Sequence, residues 1–76
     1  MINVKWKLKS FLETHGISPY KLWQESKLAR GTVYTIANGK GDRIDMNTLG
    51  TILHTLERLT GLTVGLDDVL EVVRDA

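Results

Sequence analysis

A long apolar stripe between two helix-end signals constrains the fold of this chain more than any other feature. Asp45 can cap the start of a helix through its side-chain oxygen, and Gly61 suits the position just past a helix end. The spacing between them predicts a helix from Met46 to about Thr60. A chain of 76 residues has room for one small domain, so we expect residues 1–76 to share a single apolar core. The stripe consists of Leu49, Ile52, Leu53, Leu56 and Leu59.

Shorter signals predict further helices on both sides of this one. Leu8, Phe11 and Leu12 follow the spacing of one helix face, which favours a helix over residues 6–15 after five extended residues. Residues 2–8 also alternate between apolar and polar, as an edge strand would, and could pair between subunits. Ser18 followed by Pro19 marks the start of a helix over residues 19–26. Two acidic residues at 67 and 68 suit the first turn of a last helix over residues 66–74.

The segment from Ala29 to Gly39 can be interpreted in two ways. It contains β-branched and aromatic residues followed by Asn38-Gly39, a pair typical of hairpin turns. A hairpin needs a second strand, but the residues from 40 to 47 contain only Ile44 and Met46 as apolar side chains. A helix instead places Val33 and Ile36 on one side and ends at Gly39. We therefore predict a helix here and an all-α fold.

The composition excludes several classes of protein. The chain has no cysteine and only two separated histidines, so we expect no disulfide, metal site or other cofactor. No apolar run approaches the roughly 18 residues that span a bilayer, which favours a cytoplasmic protein without a membrane partner. The sequence contains neither a phosphate-binding loop nor a pair of carboxylates beside a histidine, which are patterns that indicate catalysis. We therefore expect no catalytic residues.

The formal net charge of +1 conceals a strong asymmetry along the chain. Residues 1–43 contain eight lysines or arginines and three acidic residues, whereas residues 44–76 contain two arginines and six acidic residues. A basic half of this kind favours a polyanionic partner such as nucleic acid. Residues 18–38 add two short helices joined by about three residues, the second with a narrow apolar side and exposed Arg, Thr and Tyr. That pattern is typical of a helix-turn-helix, whose second helix enters the major groove of double-stranded DNA.

At these residues the chain resembles the lambda-repressor and Cro-like, or XRE-type, helix-turn-helix domains. The resemblance covers roughly residues 5–73 and is most specific over residues 28–40, which are similar to the family's Val-Ser-Arg-Ser-Thr-Ile run ending in Asn-Gly-Lys. The segments 45–49 and 66–70 are similar to the opening of the family's fourth helix and to its closing segment. The resemblance implies a compact five-helix domain and a sequence-specific regulator, expected to be a repressor that binds a two-fold symmetric operator as a homodimer.

The resemblance also implies which residues contact DNA. Arg30 is the first choice for a base contact because its guanidinium can donate two hydrogen bonds to guanine, although it could instead pair with Glu25. The other residues expected to face the major groove are Gly31, Thr32, Tyr34 and Thr35. The residues expected near phosphates are Ser18, Tyr20, Lys21, Asn38, Lys40 and Arg43.

Four residues depart from the family pattern. Pro19 replaces a frequent Gln, Trp23 replaces a small residue between the two helices, and Ala29 replaces the usual Ser cap. Lys27 stands where the family has Gly in the turn, so either Lys27 adopts a left-handed conformation at a cost of about 1 kcal/mol or the turn differs.

The predicted C-terminal helix raises a second hypothesis for function. Leu66, Leu70 and Val73 lie at helical spacing and could form a dimer or partner contact, or could simply pack in the core. If the contact is with another protein, the chain could be an interaction or antitoxin-like module that uses the same fold.

Overall fold

The computed structural model describes residues 1–41 and 43–74 and contains five helices and two strands. Asp42 and residues 75–76 lie outside the described residues. In chain order the elements are β1 (Ile2–Trp6), α1 (Leu8–Thr14), α2 (Pro19–Ser26), α3 (Arg30–Ala37), α4 (Met46–Thr60), α5 (Leu66–Val69) and β2 (Leu70–Arg74). Among these residues no helix combines the length and the apolar character needed to cross a membrane.

Helix α4 confirms the prediction made from its apolar stripe. The Asp45 carboxylate accepts a hydrogen bond from the backbone N–H of Thr48 at 2.6 Å, which caps the first turn. Gly61 ends the helix in the left-handed region, with φ of 72°. Ile52 and Leu56 are fully buried, and they pack in one core with side chains from every other helix.

Helices α2 and α3 begin and end at the predicted signals. The Ser18 hydroxyl accepts a hydrogen bond from the backbone N–H of Lys21 at 3.0 Å, and Pro19 occupies the first helical position. At the end of α3, Gly39 adopts φ of 77°, and its N–H donates to the carbonyl of Ile36. The N–H of Lys40 donates to the carbonyl of Thr35, which completes a Schellman motif. The segment from Arg30 is thus a helix and not a hairpin.

The turn between α2 and α3 retains a lysine at the position where the family pattern has glycine. Lys27 has φ of 60° and ψ of 20°, and it is the one residue other than glycine with a positive φ in the described chain. Ala29, at the cap position of α3, makes no side-chain capping hydrogen bond. The folded protein therefore keeps the left-handed lysine and lacks the side-chain cap that a serine at position 29 would supply, and each costs local stability.

The predicted all-α fold is wrong, because the two ends of the chain form an antiparallel pair of strands. Strands β1 and β2 pair in a register that sets Ile2 opposite Arg74, Val4 opposite Val72 and Trp6 opposite Leu70. The N–H of Lys7 donates to the carbonyl of Val69 at 2.8 Å, so backbone bonding continues to the start of α1. We call this two-stranded element, residues 2–6 and 70–74, the ribbon.

The ribbon also corrects two predicted helix boundaries. Trp6 is the last residue of β1 and does not belong to the first helix, which begins at Leu8. The last helix ends at Val69 and does not continue to residue 74. Residues 70–74 include two adjacent valines, whose branched side chains favour an extended backbone. Pairing with β1 satisfies backbone groups that a lone terminal strand would leave to water.

Candidate nucleic-acid interface

Helix α3 presents one polar side to solvent while its other side is fixed in the core. Val33, Ile36 and Ala37 are buried, and together they anchor the helix. Most of the residues predicted to face the major groove are exposed, and Tyr34 is half-buried. Because the anchored side is rigid, the polar side holds a fixed orientation relative to α2. The exposed residues are Arg30, Gly31, Thr32 and Thr35.

The guanidinium group of Arg30 lies close to two aromatic rings. Its Cζ atom is 5.6 Å from the ring centroid of Trp23 and 5.4 Å from that of Tyr34. Both distances are within the range of a cation–π interaction. The alternative partner considered for Arg30 is engaged elsewhere, because Glu25 accepts a hydrogen bond from Arg58 at 3.2 Å. Trp23, a departure from the family pattern, thus contacts the first-choice base-reading residue.

The residues predicted near phosphates are all exposed, but two of them are occupied within the fold. The Ser18 hydroxyl caps α2, and the Tyr20 hydroxyl accepts a hydrogen bond from the side-chain amide of Gln24 at 3.0 Å. Tyr20 also packs edge-on against Trp23, with 5.5 Å between ring centroids. The others extend from α2 and from the loop after α3: Lys21, Asn38, Lys40 and Arg43.

The loop after α3 runs back beside the exposed polar side of that helix. Gly41 and Arg43 line an open cleft of about 300 Å³ together with Thr32 and Thr35 of α3. Arg43 also lines a second cleft, of about 430 Å³, with Thr32 and Asp45. Arg43 therefore lies next to the groove-facing side of α3, although the chain places it six residues after the helix ends.

The carboxylate of Asp45 lies beside the same loop and lines the second cleft with Arg43. Hydrogen bonds from the backbone N–H and the side chain of Thr48 lower the pKa of Asp45 below its ordinary value. Its charge is directed at the first turn of α4, where it complements the positive end of the helix.

The predicted C-terminal contact residues do not form one helical face. Leu66, in α5, is 52% exposed, and with the half-buried Leu70 it lines an apolar groove of about 510 Å³ that also includes Val4 and Val72. Val73 lies on the opposite face of the ribbon from Leu70, because successive strand residues alternate in direction. The predicted i, i+4, i+7 surface is therefore wrong.

Sequence reasoning missed the contact that joins the ribbon to this surface. The indole N–H of Trp6 donates to the carbonyl of Gly41 at 3.2 Å. Trp6 was expected in the first helix, and nothing in the local sequence indicated a partner 35 positions further along the chain. The alternation at residues 2–6 was the signal that could have placed Trp6 in a strand.

Two short helices joined by a three-residue turn, the second with one side buried and a polar side exposed, define a helix-turn-helix DNA-binding domain. A family model for the Cro/C1-type HTH DNA-binding domain matches residues 7–75, and the chain belongs to this family. The match confirms the resemblance to lambda-repressor and Cro-like domains that the sequence suggested. No curated protein and no solved structure matches the chain.

Proposed function

We propose that this protein is a sequence-specific transcriptional repressor that binds DNA through α3 in the major groove. The observation that carries the proposal is the exposed polar side of α3, fixed to the core by Val33 and Ile36. A protein of this size that occupies an operator blocks access to the DNA beneath it. No catalytic step is required for that action.

In this proposal some residues of α3 contact bases, and others position the helix or the side chain of Arg30. Arg30 donates to a guanine, and the neighbouring aromatic rings limit the conformations that its guanidinium group explores. Thr32 and Thr35 provide hydroxyl groups for hydrogen bonds and methyl groups for contact with thymine. The ring of Tyr34, 5.4 Å from the Cζ atom of Arg30, supports the guanidinium group. Gly31 allows close approach, because the space where a Cβ atom would stand is open.

The residues around α3 set the register of the complex on the phosphate backbone. Lys21, Lys40 and Arg43 supply positive charge, and Ser18, Tyr20 and Asn38 supply polar groups at the ends of the two helices. These contacts do not distinguish base sequences. They make binding depend strongly on salt, because each neutralised phosphate releases condensed counterions.

We propose a homodimer as the binding unit. Two recognition helices about one helical turn apart, roughly 34 Å, would read a two-fold symmetric operator. Support comes from the apolar groove beside the ribbon, whose side chains Val4, Leu66 and Val72 are all more than half exposed in the single chain. A second copy is the occupant this proposal requires. Sedimentation at micromolar concentration, alone and with a selected duplex, measures the stoichiometry.

Selection of bound sites from a random duplex pool at two salt concentrations tests the proposal. We expect a palindromic consensus, weaker binding at the higher salt, and an Arg30→Ala variant that loses about 1 to 3 kcal/mol and relaxes preference at one position of each half-site. Lys9→Ala, an exposed cation on α1, is the matched control. Enrichment of no sequence, or an Arg30→Ala variant that selects the same sites with equal affinity, would overturn the assignment.

A further inference from the structure

Gly41 physically connects the recognition helix to the ribbon. On one side, a Cβ atom added at Gly41 would lie 3.5 Å from the Cγ2 atom of Thr35, so Gly41 lies close to α3. On the other side, its carbonyl accepts the hydrogen bond from the Trp6 indole. The Trp6 hydrogen bond therefore joins the ribbon to the loop that follows α3, at a residue that lies beside Thr35.

The outer edge of β1 and the loop after α3 form the walls of one open cleft. The cleft has a volume of about 610 Å³, and Gly41 also belongs to the cleft beside Thr32 and Thr35. The polar groove-facing side of α3 thus continues past Gly41 to the edge of the ribbon. The lining residues are Val4, Lys5, Trp6, Gly39, Lys40 and Gly41.

Two exposed lysines from distant parts of the chain line this cleft. Lys5 comes from β1, and Lys40 comes from the loop that follows the Schellman motif of α3. Arg43 is a third cation in this region, because it lines two neighbouring clefts together with Gly41. Like charges that line one cleft add to its positive potential, and a positive potential favours an anion there. The sequence placed Lys5 among the five extended residues before the first helix and indicated no partner for it.

We propose that the ribbon is a second DNA-contacting element, in which Lys5 and Lys40 together bind a backbone phosphate beyond the end of the recognition helix. We assign a phosphate as the anion because α3, which lines the adjacent cleft, is the proposed contact with a DNA duplex. The backbone of that duplex carries one negative charge per nucleotide of each strand. The contact positions the protein and reads no bases. This inference rests on the proposed binding of α3 in the major groove.

The acidic residue nearest to Lys5 in the ribbon provides the competing explanation. Glu71 is the cross-strand partner of Lys5 in the β1–β2 register, so the two side chains lie on the same face. Within residues 1–41 and 43–74, however, the ion pair within 4.0 Å is that of Arg58 with Glu25, and Lys5 does not pair with Glu71. Lys5 is exposed and lines the cleft with Lys40.

Charge-matched variants of the full chain test the inference on a duplex that the parent protein binds. Lys5→Gln is compared with Lys9→Gln, which removes the same charge from the exposed side of α1, and with Lys5→Arg, which retains the charge. We expect Lys5→Gln to bind on the order of fivefold more weakly near 0.15 M salt. The plot of log affinity against log salt has a negative slope, and this slope should become less steep by about 0.9. Lys9→Gln should keep the parent slope, and Lys5→Arg should restore it.

Ethylation interference locates the contact. On the parent complex, ethylation of one phosphate flanking the bases affected by Arg30→Ala should block binding, and this interference should disappear in Lys5→Gln. Thermal unfolding of each variant verifies that the ribbon is retained. If Lys5→Gln matches Lys9→Gln in slope and interference while Arg30→Ala alters base preference, the ribbon contact is refuted and the function of α3 stands. If the parent binds no duplex, both proposals are overturned.

Discussion

The aromatic contacts of Arg30 lead to a quantitative prediction about Trp23. A guanidinium group over an aromatic ring at an exposed site gains about 0.5–1 kcal/mol. In the free protein this interaction favours a position of Arg30 close to the rings of Trp23 and Tyr34. If the same position is used on DNA, the protein has already lost part of the side-chain entropy that binding would otherwise cost. Trp23→Leu, which keeps an apolar side chain but removes the ring, should then weaken binding about two- to fivefold.

A double-mutant cycle separates this effect from a change in helix packing. Trp23 also packs against the core, so its replacement can shift α3 for reasons unrelated to Arg30. We expect Trp23→Leu to have little effect on affinity in an Arg30→Ala background, because the cation is then absent, and Trp23→Phe to retain part of the parent affinity. Fluorescence anisotropy with a labelled duplex measures the four affinities of the cycle and that of Trp23→Phe, and thermal unfolding checks each fold.

The sign of the change decides whether the reasoning is correct. If Arg30 must leave the rings to reach a base, the cation–π interaction competes with DNA, and Trp23→Leu should bind more tightly than the parent. Equal or tighter binding by Trp23→Leu would therefore refute preorganisation of Arg30. An equal loss in both the parent and Arg30→Ala backgrounds would assign the effect of Trp23 to packing.

Three further predictions concern stability and approach to DNA. Lys27→Gly should stabilise the fold by about 1 kcal/mol, or roughly 4–8 °C in Tm, by relieving the left-handed conformation, whereas Lys27→Ala should not. Gly31→Ala should stabilise the free protein by about 0.5–1 kcal/mol because its Cβ meets no other atom, yet lower DNA affinity by separating α3 from the groove. The folded protein has a lowered pKa at Asp45, so the stability contributed by this carboxylate is complete above its unfolded pKa and is lost as pH falls through its folded pKa. In an acid-unfolding experiment, Asp45→Asn should lack the loss of stability that comes from protonation of Asp45.

The helix-turn-helix could be predicted from the sequence because its signals are local. Ser18 and Asp45 accept hydrogen bonds from backbone groups three residues away, and Gly39 and Gly61 adopt the left-handed conformations that end their helices. The choice between helix and hairpin at Arg30–Ala37 also depended on nearby residues, since the absence of a second strand after Gly39 was visible in the sequence. Each of these features is decided within about one helical turn.

The ribbon could not be predicted in the same way because its two strands lie at opposite ends of the chain. Alternation at residues 2–6 was consistent with a strand, but a strand needs a partner, and residues 70–74 carried an apolar pattern compatible with a helix face. Backbone pairing across the ends decided between these alternatives. The groove lined by Leu66 and Leu70, and the separation of Val73 from it, follow from that pairing.

The sequence by itself determined the helix-turn-helix, its caps and the family of the protein, because helix signals act between residues that are close along the chain. Only the tertiary structure decided what surrounds the recognition helix: the Trp23 ring beside Arg30, the Trp6 bond to Gly41, and the position of Lys5. These contacts join different elements of the fold: Trp23 meets Arg30 across the turn, and Trp6 bonds to a residue 35 positions away. Their geometry depends on how the core orients whole elements, and no local pattern encodes it.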